Sequence, residues 1–236
     1  MQQRPGYLAA LGLTDWRQRR PLRTQGAGAG ATLVAAAFPA AASPAVPGAP
    51  DSWDAVAGEV HGCTRCDLHL CRDKTVFGVG DRNASWLVVG EAPGAEEDRQ
   101  GEPFVGRAGQ LLNNMLLGIG LRREQVFIAN VLKCRPPNNR DPLPAEVAQC
   151  LPYLERQIAL LKPRILLAVG RIAAQNLLAT DTPIGKMRGQ VHAFGAARLP
   201  LVVTYHPAYL LRSPTEKRKA WEDLKFARRV AAGGSA

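Results

Sequence analysis

Four apolar runs of strand length, each followed by a glycine or polar residue, most constrain what this chain can fold into. The runs are Trp86–Val89, Val126–Val131, Ile165–Val169 and Leu201–Thr204. Helical patterns lie at Ala108–Leu117, Pro152–Leu161, Arg171–Leu178 and Thr215–Val230, the second of them with Pro at its first position. Strands that alternate with helices predict an α/β fold with a short, mainly parallel sheet covered on both faces. Ligands of such sheets bind outside the carboxyl ends of the strands, so the residues that end these runs are the first candidates for a site.

The first fifty residues differ sharply in composition from the rest. Residues 1–25 carry five Arg and one Asp, and residues 26–50 carry no charge, 19 of those 25 being Ala, Gly or Pro. Such a stretch buries too little surface to offset its ordering entropy. We therefore expect a flexible basic segment and linker over 1–50, a folded domain over 51–230 and a tail over 231–236. A secretory signal is disfavoured because glycines and Pro39 interrupt its apolar part.

The charge and hydropathy of the chain exclude some classes of protein. No apolar run is long enough to span a membrane as a helix. The net charge of +10 favours an anionic partner such as nucleic acid.

The cysteines predict a metal centre. Cys63 and Cys66 form a CxxC pair, and Cys134 and Cys150 follow in the same predicted domain. Four thiolates around one centre suit zinc or an iron–sulfur cluster, and the residue types do not decide between them. A redox dithiol shares the CxxC spacing, and ordinary semi-buried thiols remain a further alternative. Cys71 has no place in a four-ligand site, so we expect it to be incidental.

The ends of the predicted strands carry three motifs. They are GEAPGAEED at 90–98 with PFVG at 103–106, Asn130 with KCRPPNNR at 133–140, and HPAYLLR at 206–212. The glycines allow a ligand close to the backbone, the carboxylates can orient water or substrate, and the basic loop can hold phosphates. An exposed Tyr-Leu-Leu before Arg is similar to an apolar wedge with a phosphate anchor. Taken singly, each motif also fits a structural role: a solvated acidic turn, an Asn that caps a turn, a structural His.

Together, the four cysteines and the three motifs resemble the type-4 uracil-DNA glycosylases, the iron–sulfur members of that superfamily. The resemblance runs from Cys63 to Arg212, with the motifs in the family's order. It implies a three-layer α/β/α sandwich and a DNA repair enzyme that flips uracil out of DNA, hydrolyses its N-glycosidic bond and leaves an abasic site. It also implies a cytoplasmic monomer that acts on uracil-containing DNA, single- or double-stranded, and on no membrane.

The resemblance assigns roles to individual residues. A [4Fe–4S] cluster would be held by Cys63, Cys66, Cys134 and Cys150. Uracil would contact Glu91, Ala92, Pro93, Phe104, Asn130, Asn139 and His206. Within this set Phe104 would stack on the base, Asn130 would read its edge and His206 would face its O2, and Glu97, Asn130 and His206 would be catalytic. DNA would contact Arg135, Arg140, Tyr209, Leu210, Leu211 and Arg212, with Leu210 or Leu211 filling the gap left by the flipped base.

Two other classes of function compete with this interpretation. A non-catalytic DNA-binding module would not need Glu97, Phe104, Asn130 and His206 together. A CxxC oxidoreductase or electron-transfer protein would leave the Asn130 and His206 motifs unexplained.

Overall fold

A computed structural model describes residues 52–233, so the predicted basic segment and linker over 1–50 lie outside the described residues, as does the end of the tail. The helices are α1 (Trp53–His61), α2 (Ala95–Gln100), α3 (Arg107–Gly118), α4 (Pro144–Leu161), α5 (Arg171–Leu178), α6 (Ile184–Met187), α7 (Pro207–Arg212) and α8 (Lys217–Ala231). The strands are β1 (Val79–Gly80), β2 (Trp86–Gly90), β3 (Phe127–Asn130), β4 (Ile165–Val169), β5 (Val191–Phe194) and β6 (Leu199–Thr204).

The six strands form one mixed sheet in the order β1-β3-β2-β4-β6-β5. The four central strands are parallel, and the short strands β1 and β5 pair antiparallel at the two edges. All four central strands were predicted from their apolar runs. The mainly parallel sheet is therefore confirmed, with two antiparallel edge strands added to it.

Helices cover both faces of the sheet, as the predicted three-layer sandwich requires. Alternate residues of β2 point to opposite faces: Leu87 and Val89 pack into one core with α1, α4 and α5, and Val88 packs into the other with α3 and α8. Both faces of β2 and β4 are fully buried, which explains why these strands are continuous apolar runs rather than alternating ones.

Helix α4 begins at Pro144, so the predicted start at Pro152 is wrong. The Glu146 carboxylate accepts a hydrogen bond of 2.8 Å from the backbone N–H of Leu143, the residue that caps the helix. Pro144 occupies the first helical position, where its missing N–H costs nothing. Pro152 lies inside the helix and removes one internal hydrogen bond. Apolar packing on both sides of Pro152, by Val147 and Leu154, holds the helix together.

No helix in residues 52–233 is both long and apolar enough to cross a membrane.

Candidate active site

The carboxyl ends of the parallel strands surround a cavity of about 750 Å³. Residues of all three sequence motifs line it, together with residues that follow β4. Of the predicted site residues, the lining includes Glu91, Ala92, Pro93, Glu97, Phe104, Asn130, Asn139, Arg140, His206, Tyr209 and Arg212. The fold thus brings together most of the residues that the sequence singled out, at the edge of the sheet where ligands of this architecture bind.

Asn130 ends β3 with its side chain in the cavity lining and only 2% of its surface exposed. Among the described residues, its Oδ1 is the one buried side-chain polar atom without a hydrogen-bond partner. A buried amide oxygen left unpaired costs about 1–3 kcal/mol, so it is expected to meet a donor when a ligand binds.

Gly90 ends β2 beside Asn130, where no larger residue fits. A Cβ at this position would lie 2.4 Å from Asn130 Oδ1 and 2.6 Å from Cζ of Phe104. The glycine therefore lets the polar side chain and the aromatic ring approach each other at the floor of the cavity.

Phe104 has a backbone conformation that is unfavourable for an aromatic residue. Its φ is +54°, in the left-handed region. The Glu97 Oε1 accepts hydrogen bonds from the backbone N–H groups of Val105 at 3.0 Å and Gly106 at 3.2 Å, just after it. Glu97 therefore fixes the loop that presents Phe104 and commits one of its two oxygens to this task.

His206 caps the N-terminus of α7, and this contact sets its tautomer. Its Nδ1 accepts a hydrogen bond of 3.1 Å from the backbone N–H of Ala208. The ring proton must then reside on Nε2. Burial, assisted by the positive charge of Arg212, lowers the pKa of His206 to about 4. The imidazole ring lies 5.7 Å from the Phe104 ring, centroid to centroid, and is a neutral donor near pH 7.

Glu91 lines the cavity from the loop after β2, and its charge is disfavoured there. Burial raises its pKa to about 7, and the nearby negative charge of Asp141 acts in the same direction. Arg171 opposes the shift, but it donates a hydrogen bond of 2.7 Å to Asp141 Oδ2. Glu91 is therefore a carboxyl that changes protonation near neutral pH.

The three carboxylates of the acidic run Glu96–Asp98 make different contacts. Glu96 pairs with Arg99 on the surface. Asp98 is buried, and its Oδ1 accepts hydrogen bonds from the backbone N–H groups of Asp73 and Lys74. Of the three carboxylates, only Glu97 lines the cavity.

The two leucines of α7 that were expected to form an apolar wedge differ in exposure. Leu210 is buried in the core, 1% exposed, whereas Leu211 is exposed. The expectation of an exposed Tyr-Leu-Leu is therefore corrected at Leu210, which packs in the same core as the residues of α3. Leu211 is the leucine free to contact a ligand.

The basic residues of the loop after β3 also differ in burial and in their contacts. The basic residues of this loop were expected to hold phosphates. Lys133 is fully buried and therefore cannot contact a phosphate. Arg135 is half-buried, and its Nε donates to Asn139 Oδ1 at 2.8 Å. Arg140 reaches the cavity wall while both of its terminal nitrogens donate to the Glu146 carboxylate, at 2.6 and 2.9 Å.

The four predicted ligand cysteines line one cleft on the other side of the β3 exit. Cys63, Cys66, Cys134 and Cys150 all contact this cleft, and Cys71 does not. Burial raises the pKa of Cys134 and Cys150, the latter to about 12. Within residues 52–233, no three His, Cys, Asp or Glu side chains converge closely enough to hold a single metal ion.

The surroundings of the thiols fit an anionic cluster. Arg72 Nη1 donates to Cys134 Sγ at 3.1 Å, and the backbone N–H of Lys133 donates to Cys150 Sγ at 3.1 Å. The buried Lys133 ammonium donates to two neutral acceptors, the Asn130 carbonyl at 2.9 Å and Gln157 Oε1 at 2.6 Å. A buried cation requires a compensating charge, and four thiolates around a multinuclear centre would supply it.

Several residues around the cavity were not predicted. Tyr205, Asp141 and Arg171 line it, and Arg123 contacts the loop that carries Phe104. Tyr205 directly follows one apolar run and Arg171 follows another after a single glycine, so the strand-end rule alone identifies both. Arg123 precedes a strand and carries no comparable signal.

Comparison with known proteins places this site in a family. The family model described as the uracil DNA glycosylase superfamily matches residues 77–225. The type-4 uracil-DNA glycosylase of Archaeoglobus fulgidus is 45% identical over 181 residues, which cover 74% of this chain and 91% of the relative. That of Thermotoga maritima is 42% identical over 177 residues, 73% of this chain and 91% of the relative. A type-5 uracil-DNA glycosylase of Thermus thermophilus is 36% identical over 121 residues, 45% of this chain and 55% of the relative.

Proposed function

The chain belongs to the uracil DNA glycosylase superfamily, and we propose that it binds a flipped uracil in the cavity between β2, β3 and β6. It removes uracil from DNA by hydrolysing the N-glycosidic bond, which releases free uracil and leaves an abasic site. The observation that carries the pocket assignment is the unpaired Oδ1 of Asn130, because it needs a donor of the kind that uracil N3–H provides.

Asn130 supplies the selectivity against cytosine. Its amide can accept from N3–H and donate to O4, whereas cytosine presents the reverse pattern at these two positions. Cytosine would leave two buried polar groups unpaired, at about 1–3 kcal/mol each. Stacking on Phe104 holds the flipped base in position and does not discriminate between bases. The Glu91–Pro93 turn is the candidate for steric exclusion of the thymine methyl group.

His206 stabilises the negative charge that develops on uracil as the bond breaks. Its neutral ring carries the proton on Nε2, because Nδ1 accepts from Ala208. A donor fixed in advance where charge develops at O2 lowers the barrier in the manner of an oxyanion hole. Glu97 commits Oε1 to the Phe104 loop, which leaves Oε2 to orient water or stabilise the electron-poor sugar.

The exposed end of α7 holds the DNA around the flipped nucleotide. Leu211 is the exposed leucine and fills the gap in the base stack, and Arg212 and Tyr209 contact the backbone beside it. Asn139 and Arg140 line the cavity from the loop after β3, and Arg135 lies in the same loop without lining the cavity. One chain supplies all three motifs, so the proposal requires no second copy, and we expect a monomer.

Cys63, Cys66, Cys134 and Cys150 would hold a [4Fe–4S] cluster. When bound, such a cluster cross-links the loop after α1, the exit of β3 and helix α4. Cys134 lies four residues after Asn130, and Lys133 donates to the Asn130 carbonyl. The thiols therefore secure the segment that presents the base-reading amide.

The proposed function is tested with an oligonucleotide that carries one labelled uracil, treated with alkali after incubation with the full chain. We expect strand cleavage at uracil, none at thymine or cytosine in the same position, and a strongly reduced yield with His206→Ala. Binding of the DNA without cleavage would support the non-catalytic module instead. If uracil removal required an added reductant, the result would support the electron-transfer alternative.

A further inference from the structure

Phe104 occupies a position in the cavity that is costly to maintain. It is 6% exposed and has a φ of +54°, which a bulky side chain adopts only when its surroundings impose it. Relaxation of the loop would move the ring away from the cavity. Whatever fixes the loop therefore also fixes the stacking surface for the base.

Contacts hold the chain on both sides of this residue. After it, the Glu97 carboxylate accepts from Val105 and Gly106. At the residue itself, α3 leaves room only because position 109 is glycine: a Cβ there would lie 1.8 Å from the Phe104 carbonyl oxygen. Before it, the loop has no regular secondary structure between α2 and α3, and its carbonyl groups need partners.

Those partners come from Arg123, which lies outside all three motifs. Its Nη2 donates to the Pro103 carbonyl at 2.5 Å and to Glu102 Oε1 at 2.9 Å. Its Nη1 donates to the Phe104 carbonyl at 3.3 Å and to Asn113 Oδ1 at 3.2 Å. The side chain is only 15% exposed. One planar guanidinium thus ties three consecutive loop residues to helix α3.

We propose that Arg123 is a positioning residue for uracil removal, which acts by fixing Phe104 against the flipped base. This inference depends on the proposed function, because it requires Phe104 to stack on uracil. No other side-chain type can make these contacts: a lysine has no planar fork with which to reach four acceptors. Arg123 touches neither base nor sugar in this account and acts through Phe104 alone.

The test is a double-mutant cycle on the full chain, with the single-turnover rate of uracil release and the Kd for uracil-containing DNA measured separately. We expect Arg123→Met to lower the rate by about tenfold to a hundredfold, the scale of a misplacement near 1 Å, with little change in Kd. In a Phe104→Ala background the same substitution should change the rate by less than about twofold, because its target is gone. Arg122→Met removes an exposed neighbouring charge and should leave the rate unchanged.

Two outcomes overturn the inference. Effects of Arg123→Met and Phe104→Ala that multiply in the double variant would show that Arg123 acts elsewhere. So would a wild-type rate in Arg123→Met. Should that variant fail to fold, Arg123→Lys, which keeps the charge and part of the donors, must still lower the rate without lowering DNA affinity. A Phe104→Ala variant with the wild-type rate would instead contradict the pocket assignment of the proposed function.

Discussion

At the scale of single residues, burial shifts the pKa values of two cavity residues in opposite directions and favours the neutral form of both. His206 is kept neutral, with its pKa lowered to about 4 by burial and by Arg212. Glu91 is kept protonated up to a pKa of about 7 by burial and by Asp141. We therefore expect a titration of activity near pH 7 to come from Glu91 rather than from His206, although an ordinary histidine titrates in that range.

We predict that the single-turnover rate of uracil release falls as the pH rises through about 7. Ionised Glu91 places a negative charge beside uracil as it departs with negative charge, an effect of roughly tenfold. In Glu91→Gln the rate should be constant between pH 6 and 8. His206 remains neutral over this whole range, because the pH lies above its folded pKa. A rate that still titrates near 7 in Glu91→Gln would contradict the assignment.

Gly90 provides a steric prediction at the same scale. In Gly90→Ala the new methyl group must displace either Asn130 Oδ1 or the Phe104 ring. We expect uracil release to slow by about a hundredfold, with about 1–3 kcal/mol of stability lost to overpacking. Gly58→Ala in α1 is the matched control, because a Cβ there meets nothing within 4 Å. Equal rates for the two variants would show that Gly90 does not shape the pocket.

Some residues of the site could be predicted from the sequence, and others could not. Asn130 and His206 were predictable because Asn130 ends one apolar strand and His206 follows another after a single residue. The choice between Leu210 and Leu211 was not, since it depends on the rotation of α7 against α3. Arg123 was missed because an arginine before a strand has the same appearance in sequence whether it is solvated or bonded to a distant loop.

At the scale of elements, the thiol cleft is lined by the loop after α1, the segment after β3 and helix α4, which come from distant parts of the chain. Cys71 lies near this cleft without lining it; its Sγ lies 3.9 Å from the Arg135 carbonyl oxygen. The lining of the cleft thus includes four of the five cysteines, and the incidental role of Cys71 stays a prediction.

The corresponding prediction compares two serine variants. Cys71→Ser should keep the iron content and the broad visible absorbance of an iron–sulfur cluster. Cys150→Ser should lose both and melt roughly 10 °C lower, because a cross-link between three elements is gone. Zinc without iron in protein purified under anaerobic conditions would contradict the cluster. Loss of iron in Cys71→Ser would contradict the choice of ligands.

The elements themselves differ in how far they can be predicted. The four central strands are buried on both faces, so their apolar runs identify them directly. The edge strands β1 and β5 are two and four residues long and partly exposed, and leave no such pattern. The predicted start of α4 at Pro152 is wrong because either proline could occupy the first helical position, and the structure begins the helix at Pro144.

At the scale of the whole molecule, positive charge is divided between the folded part and the N-terminal segment. The five Arg of residues 1–25 belong to the segment outside the described residues. The lining residues described for the cavity and for the thiol cleft all lie within residues 52–233. Charge of this kind contributes affinity for DNA that is independent of sequence and weakened by salt.

We predict that a chain starting at Asp51 releases uracil at the full single-turnover rate. Its affinity for DNA should be lower at low salt and should depend less steeply on salt concentration, because fewer phosphates are contacted. Fluorescence anisotropy with a labelled duplex measures both. A truncated chain that keeps its cluster but cannot release uracil would give residues 1–50 a part in the reaction.

The measurement that tests the central claim most directly is the single-turnover release of free uracil by the full chain and by Asn130→Asp. Aspartate has nearly the same shape but loses the donor for uracil O4. We expect rapid release by the unaltered chain. In Asn130→Asp the activation free energy should rise by about 2–4 kcal/mol, the cost of an unpaired buried group, and the rate should fall accordingly. The visible absorbance of the cluster should be unchanged. Release at the unaltered rate by Asn130→Asp, with an intact cluster, would show that Asn130 does not read the base.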